Sequence, residues 1–328
     1  MAGFGAARGM LVRGLLAARA LAAPMLAAPM LAGPLLALGL LSACGEAEGP
    51  DYVPAFSGEA PDRGRLLVFG VHPLHNPKRL FEVYQPLVDH LNARLDGVRV
   101  RLEASNSYAA FDQKMAEKRF DLALPNPYQT VASTGRGYRV FGKMGDDGQF
   151  RGIILVRRDS RIDSPADLKG KAVGFPAPTA LAATMMPQWF LHRQGLNVMK
   201  DVESRYVGSQ ESSIMNVHLG TVAAAATWPP PWRAFAREHP DIAAGLRVAW
   251  ETEPLVNNSL VARDDVDAGL VARIGGLLFA LHETEEGRAI LAPMEVGRFE
   301  PADDATYDRV RAFLADFERE VRPVRGTP

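Results

Sequence analysis

From Arg65 onward, short apolar runs alternate with stretches whose apolar residues recur every three or four positions. That alternation restricts the chain to sheets covered by helices. Residues 66–71 (LLVFGV) form a run of buried-strand length ending in turn chemistry. Between 79 and 95, Leu80, Val83, Leu87, Val88 and Leu91 fall on one helical face. Residues 98–103 read as a strand, 108–118 as a helix, and 120–124 as a third strand closed by Pro125-Asn126-Pro127. A second unit of the same kind begins near 151. Its strands are expected at 152–157, 171–175, 204–207 and 221–227, and its helices at 180–194 and 212–219. Ser164 and Pro165 open a short helix between them, as N-cap and first-turn residue. After Asn257-Asn258, residues 259–263 read as a strand returning to the first unit, followed by helices near 266–282, 284–291 and 304–320. The fold class is therefore α/β with two lobes: 63–149 with 258–324, and 150–257. Two crossovers would form a hinge over a central cleft.

The first 43 residues stand apart. They carry Arg8, Arg13 and Arg19, no acid, and a small-residue apolar stretch with repeats around Pro24, Pro29 and Pro34. This is the order of a secretory signal; Met10 is an alternative start. The stretch ends Leu41-Ser42-Ala43-Cys44, and Cys44 is the only cysteine of the 328 residues. Leu-Ser-Ala-Cys resembles a bacterial lipobox, which implies lipid attachment at Cys44 and a membrane anchor. Residues 44–62, rich in Gly, Pro and acids, read as a flexible tether. Gly45 after the cysteine, rather than Asp, is compatible with outer-membrane sorting; the expected location is the periplasm, anchored to the inner or the outer membrane.

Without the leader, 34 basic face 38 acidic side chains, which argues against a nucleic-acid partner. A single cysteine excludes an internal disulfide and a cysteine metal site. His72 and His75 lie three apart beside Asn76 on a Pro-rich turn without a carboxylate cluster, so no metal and no cofactor are expected. Asp146-Asp147-Gly148 reads as a hairpin turn. There is no Gly-x-Ser-x-Gly elbow, His-Glu-x-x-His helix or phosphate-cradling glycine loop, and the chain is not expected to be an enzyme.

Several segments together resemble the periplasmic phosphate/phosphite/phosphonate-binding family, the type II periplasmic binding proteins. They are Gly70-Val71-His72-Pro73 with Asn76-Pro77, Tyr84 to Leu91, Phe120-Asp121-Leu122-Ala123, Val156 to Ser160, Ser164 to Lys171, Gly208-Ser209, Trp250 to Leu255 and Glu286 to Leu291. The resemblance implies the two-lobed type II fold, a monomer that closes on a small-molecule ligand, and a membrane transporter as partner. Members of the family hold an oxyanion with a Ser-Thr-Ser-Gly run at a helix entrance. Aligned on Pro187, that run falls here at Ala180-Leu181-Ala182-Ala183, without a hydroxyl. The family's histidine in Gly-Ser-His-Asp corresponds to Gln210, and an acid that would meet a ligand amine corresponds to Thr227. Two cleft tyrosines correspond to Tyr108 and Tyr128.

The departures shift the expected cargo. Ala180, Leu181, Ala182, Met185 and Trp228 would make an apolar cleft, with Tyr108, Asn126, Tyr128, Thr179, Gln210 and Thr227 supplying orientation. The favoured ligand on this reading is lipid-like, such as a sterol. Two alternatives stand beside it: an oxyanion-binding subunit for phosphonate, phosphate or phosphite, and a ligand sensor for a receptor kinase. Ala180 to Met186 can equally be the buried face of a helix.

Overall fold

A computed structural model describes residues 64–324. The leader, Cys44 and the tether lie outside the described residues, so those expectations have no structural counterpart here.

Two mixed sheets carry the architecture. The first is ordered β11-β4-β10-β3-β1-β2 and contains β1 (Arg65–Val71), β2 (Val98–Glu103), β3 (Leu122–Leu124), β4 (Tyr138–Met144), β10 (Ser259–Arg263) and β11 (Phe299–Pro301). The second is ordered β7-β6-β8-β5-β9, from β5 (Ile153–Arg157), β6 (Ala172–Phe175), β7 (Glu203–Tyr206), β8 (Ala224–Thr227) and β9 (Leu246–Glu251). The helices are α1 (Pro77–Asn92), α2 (Tyr108–Ala116), α3 (Pro127–Ser133), α4 (Met186–Arg193), α5 (Gln210–His218), α6 (Pro229–Glu238), α7 (Pro240–Ala244), α8 (Ala268–Phe279), α9 (Glu285–Leu291) and α10 (Asp308–Glu320). In the first sheet β1 pairs in parallel with β2 and β3, while β10 runs antiparallel to β3. In the second, β6 pairs in parallel with β7 and β8, and β5 runs antiparallel to β8.

Local chemistry explains most element bounds. Asn76 caps α1 by accepting from the Arg79 N–H, and Pro77 occupies the first helical position, where its missing N–H costs nothing. Leu80, Val83, Tyr84, Leu87, Val88 and Leu91 are the buried face of that helix, as their spacing requires. Strands β5 and β8 are buried at every position but Arg157, which is why they read as continuous apolar runs.

Three stretches take conformations that their residue types alone do not announce. Pro229, Pro230 and Pro231 form the first turn of α6. The first N–H groups of a helix have no intrahelical acceptor, so three consecutive prolines remove nothing there. Pro125-Asn126-Pro127 is the start of α3 rather than a simple turn. Asn126 accepts from the Gln129 N–H and the Gln129 side chain accepts from the Asn126 N–H, a reciprocal cap. Asp146-Asp147-Gly148 is not a hairpin turn, because β4 and β5 lie in different sheets. Asp146 takes a left-handed conformation at φ 60° and opens a single tight turn within the chain's first passage between the sheets.

That passage runs beside the return. Thr252 N–H donates to the Gly152 carbonyl, the Gly152 N–H donates to Thr252 Oγ1, and Leu255 N–H donates to the Phe150 carbonyl. Asn257 closes the ladder, donating from Nδ2 to the Gly145 carbonyl and from its N–H to Asp147 Oδ1. Tyr307 donates to the Asn257 carbonyl at 2.6 Å. The two connections thus form one hydrogen-bonded ribbon between the sheets.

Candidate functional site

In open α/β sheets, ligand crevices lie beyond the carboxyl ends of parallel strands. Here those ends converge from both sheets. His72 follows β1, Tyr108 opens α2 after β2, and Asn126 follows β3. From the other sheet come Ala180 after β6, Gln210 after β7 and Trp228 after β8. Because β5 and β10 run antiparallel to their neighbours, the two connections also enter at this end, bringing Phe150 and Asn258. All eight line one narrow cavity of about 220 Å³, including its mouth. Phe150 and Trp228 meet edge to face across it, ring centroids 5.5 Å apart.

The floor is the entrance to α4. Residues Leu181–Met185 form a π-helical turn, in which the N–H groups of Thr184 and Met185 both donate to the Ala180 carbonyl. Two residues explain the widening. Pro187 has no N–H to return to the preceding turn. Gly152 allows the Ala182 carbonyl to approach: a Cβ there would sit 2.5 Å from that oxygen. Among the described residues, no acceptor meets the N–H groups of Leu181, Ala182 and Ala183. Those three residues also line the cavity. Unpaired amides at the positive end of a helix attract negative charge.

The polar side chains around this floor are largely held by one another. Gln210 donates from Nε2 to the Tyr108 phenol oxygen at 3.3 Å and accepts from Thr227 Oγ1 at 2.8 Å. Asn126 donates from Nδ2 to the Thr179 carbonyl at 3.1 Å. Thr179 donates to Asp112 Oδ2 at 3.3 Å, and Gln129 donates to Asp112 Oδ1 at 2.6 Å. Burial lifts the Asp112 carboxyl to about 6, although the bonds from Gln129 and Thr179 pull it down. Burial also raises the Tyr108 phenol, which therefore stays protonated. Among the described residues, no lysine, arginine, aspartate or glutamate lines the cavity.

A second, wider hollow of about 470 Å³, including open space, shares Gln210 with the first. Its charged groups are paired across the cleft. Asn76 Nδ2 donates to Glu211 at 3.2 Å, and Arg79 meets Glu238 at 3.2 Å. The three amides of Leu181, Ala182 and Ala183 belong to the smaller cavity, the candidate site.

The structure thus brings Tyr108, Asn126, Ala180, Leu181, Ala182, Gln210 and Trp228 together at one surface. Thr227 and Thr179 lie behind it as partners of Gln210 and Asp112. Met185 is wholly buried in the core, and Tyr128 packs half-buried against that core away from the cavity lining. Three lining residues escaped the sequence reading: His72, Phe150 and Asn258. His72 had a signal, since it follows the first strand of a parallel pair. Phe150 and Asn258 had none, because their placement depends on where the connections cross.

The expectation of a sterol-like cargo is not supported. Pockets for drug-sized ligands run to roughly 300–1,000 Å³, and this hollow falls below that range even with the open space at its mouth counted in. The methyl-rich floor of Ala180, Leu181, Ala182 and Ala183 had suggested an apolar site. All four residues are buried, and three of them, Leu181, Ala182 and Ala183, also bring backbone N–H groups that have no acceptor among the described residues.

A family model described as "ABC transporter, phosphonate, periplasmic substrate-binding protein" matches residues 69–307. The fold is that of a binding-protein component of an ABC phosphonate transporter from Pseudomonas aeruginosa. That match has a TM-score of 0.72 and 18% identity, over 78% of this chain and 88% of the other. PhnD1 from Prochlorococcus marinus, solved with methylphosphonate, matches with a TM-score of 0.71 and 20% identity, over 78% of this chain and 99% of that one. The aliphatic sulphonate-binding protein SsuA from Escherichia coli shares the fold more distantly. Its TM-score is 0.55 and its identity 15%, over 80% and 91% of the two chains.

Proposed function

Because this chain belongs to the phosphonate-type periplasmic substrate-binding proteins of ABC transporters, we propose that it captures a small tetrahedral oxyanion of the phosphonate class for an ABC importer. The observation that carries this reading is the row of amides at Leu181, Ala182 and Ala183, which lack acceptors among the described residues and belong to residues lining a small cavity. Hydrogen bonds to a charged acceptor contribute about 1.5–3 kcal/mol each. Three of them, with the helix end behind them, suffice for a monoanion without hydroxyl side chains. Tyr108 supplies a neutral phenol at the same surface, and Trp228 and Phe150 provide an apolar wall for a short organic substituent.

Capture proceeds by hinge closure. Among the described residues, 64–149 with 258–324 form one lobe and 150–257 the other, and the ribbon of paired connections is the hinge. Tyr108–Gln210, Asn126–Thr179 and Asn76–Glu211 are contacts between the lobes that opening must break. The ligand adds its own bridge between them, and the transporter reads the closed shape. Cys44 is the acylation site that holds the protein at the membrane; palmitate labelling lost in Cys44→Ala supports this, and unlabelled wild type contradicts it.

Calorimetric titration of the protein with methylphosphonate, phosphite and phosphate tests the proposal. Saturable binding of at least one at micromolar concentration supports it. Absence of heat with all three up to millimolar concentration contradicts it.

A further inference from the structure

Two residues that line the cavity, His72 and Asn258, carry hydrogen-bond acceptors, and an oxyanion without a proton gives them nothing to accept. His72 is almost fully buried, and its Nδ1 lies 2.9 Å from the Leu124 carbonyl. A carbonyl only accepts, so Nδ1 carries the proton and Nε2 keeps a lone pair. Burial holds the ring neutral by lowering its pKa to about 4, against the raising effect of the Leu124 bond. Asn258 is wholly buried. Its Nδ2 faces the thioether of Met144 at 3.6 Å, an acceptor, and its Oδ1 has no partner among the described residues. Both residues line the smaller cavity. A buried, unpaired carbonyl oxygen costs about 1–3 kcal/mol unless something donates to it.

We propose that His72 and Asn258 make this a site for an oxyanion that still carries a proton, so that the chain separates phosphonates from sulfonates of the same shape. This rests on the oxyanion reading above and deepens it. A phosphonate monoanion has two oxygens for the amides of Leu181, Ala182 and Ala183 and one O–H for an acceptor. A sulfonate has three unprotonated oxygens, and one of them would face a lone pair with no hydrogen between. A site built to bond a ligand hydroxyl rejects the analogue lacking it, because its own polar group is left unpaired.

The test is paired titration of wild type with methylphosphonate and methanesulfonate, which match in size and differ in that proton. Wild type is expected to prefer methylphosphonate by about 100-fold or more. Asn258→Leu, which keeps bulk and removes the acceptor, is expected to narrow the ratio about tenfold, with His72→Phe as the companion variant. Equal affinity of wild type for the two ligands overturns the inference while leaving the oxyanion reading intact. Binding of neither overturns both. A large wild-type ratio unchanged in both variants overturns the assignment to these two residues. Should Asn258→Leu fail to fold, the wild-type ratio and His72→Phe decide.

Discussion

Gln210 and Tyr108 reach each other from the two sheets, the side-chain amide donating to the phenol oxygen at 3.3 Å while the amide oxygen accepts from Thr227. One side chain therefore ties an element of each sheet to the cavity wall, and all three groups are buried.

Gln210→Leu fills similar space and strips both bonds. It leaves the Thr227 hydroxyl without its acceptor and the phenol without its donor, each buried. Chemical denaturation is expected to show a loss of about 1–3 kcal/mol. Methylphosphonate affinity falls with it, because Tyr108 is no longer held in place. An unchanged denaturation midpoint contradicts the assigned role.

Ala182→Ser adds a hydroxyl at the entrance to α4, where the backbone donors already point. One further bond to an anion is expected to tighten methylphosphonate binding about tenfold, read by calorimetry. A weaker or unchanged affinity places the anion elsewhere.

Gly152→Ala tests the close approach beneath that entrance. The added Cβ would lie 2.5 Å from the Ala182 carbonyl and 2.7 Å from the Pro187 ring. The π-turn must shift, at a cost of about 1–3 kcal/mol in stability, and ligand affinity drops beyond the stability change. A variant that binds as wild type does shows that the turn's position is immaterial.

Asp112 gives a pH dependence with a definite sign. Burial raises it to about 6 in the fold, from an ordinary value of 3.8. The folded chain holds this proton more tightly than the unfolded one. Stability from this group is therefore lost as the pH rises from about 4 to about 6, and levels off above. The loss is about 3 kcal/mol. Urea unfolding across pH 4–7 is expected to show that slope in wild type and not in Asp112→Asn.

The sequence made the architecture legible because strand and helix periods differ. Leu80, Val83, Leu87, Val88 and Leu91 fixed the buried face of α1, and the apolar run at 153–157 marked a central strand. What stayed hidden was local or tertiary. The seven-residue helix α3 is too short for periodicity to register, and only its Asn126–Gln129 cap betrays it. The prolines at 229–231 are ambiguous in sequence, because their effect depends on whether they sit inside a helix or in its first turn. At the site, Ala180 to Ala183 suggested apolar chemistry because side chains are what a sequence displays, whereas the N–H groups common to every residue but proline carry the polarity. Asn258 could not be singled out, since an unpaired oxygen is a property of its surroundings.

The most direct test follows the amide resonances of Leu181, Ala182 and Ala183 by nuclear magnetic resonance while methylphosphonate is added. A bound oxyanion at the helix entrance should move these three protons downfield, saturably and more than any others in the protein. Saturable binding that leaves all three in place, with the largest shifts elsewhere, would contradict the account.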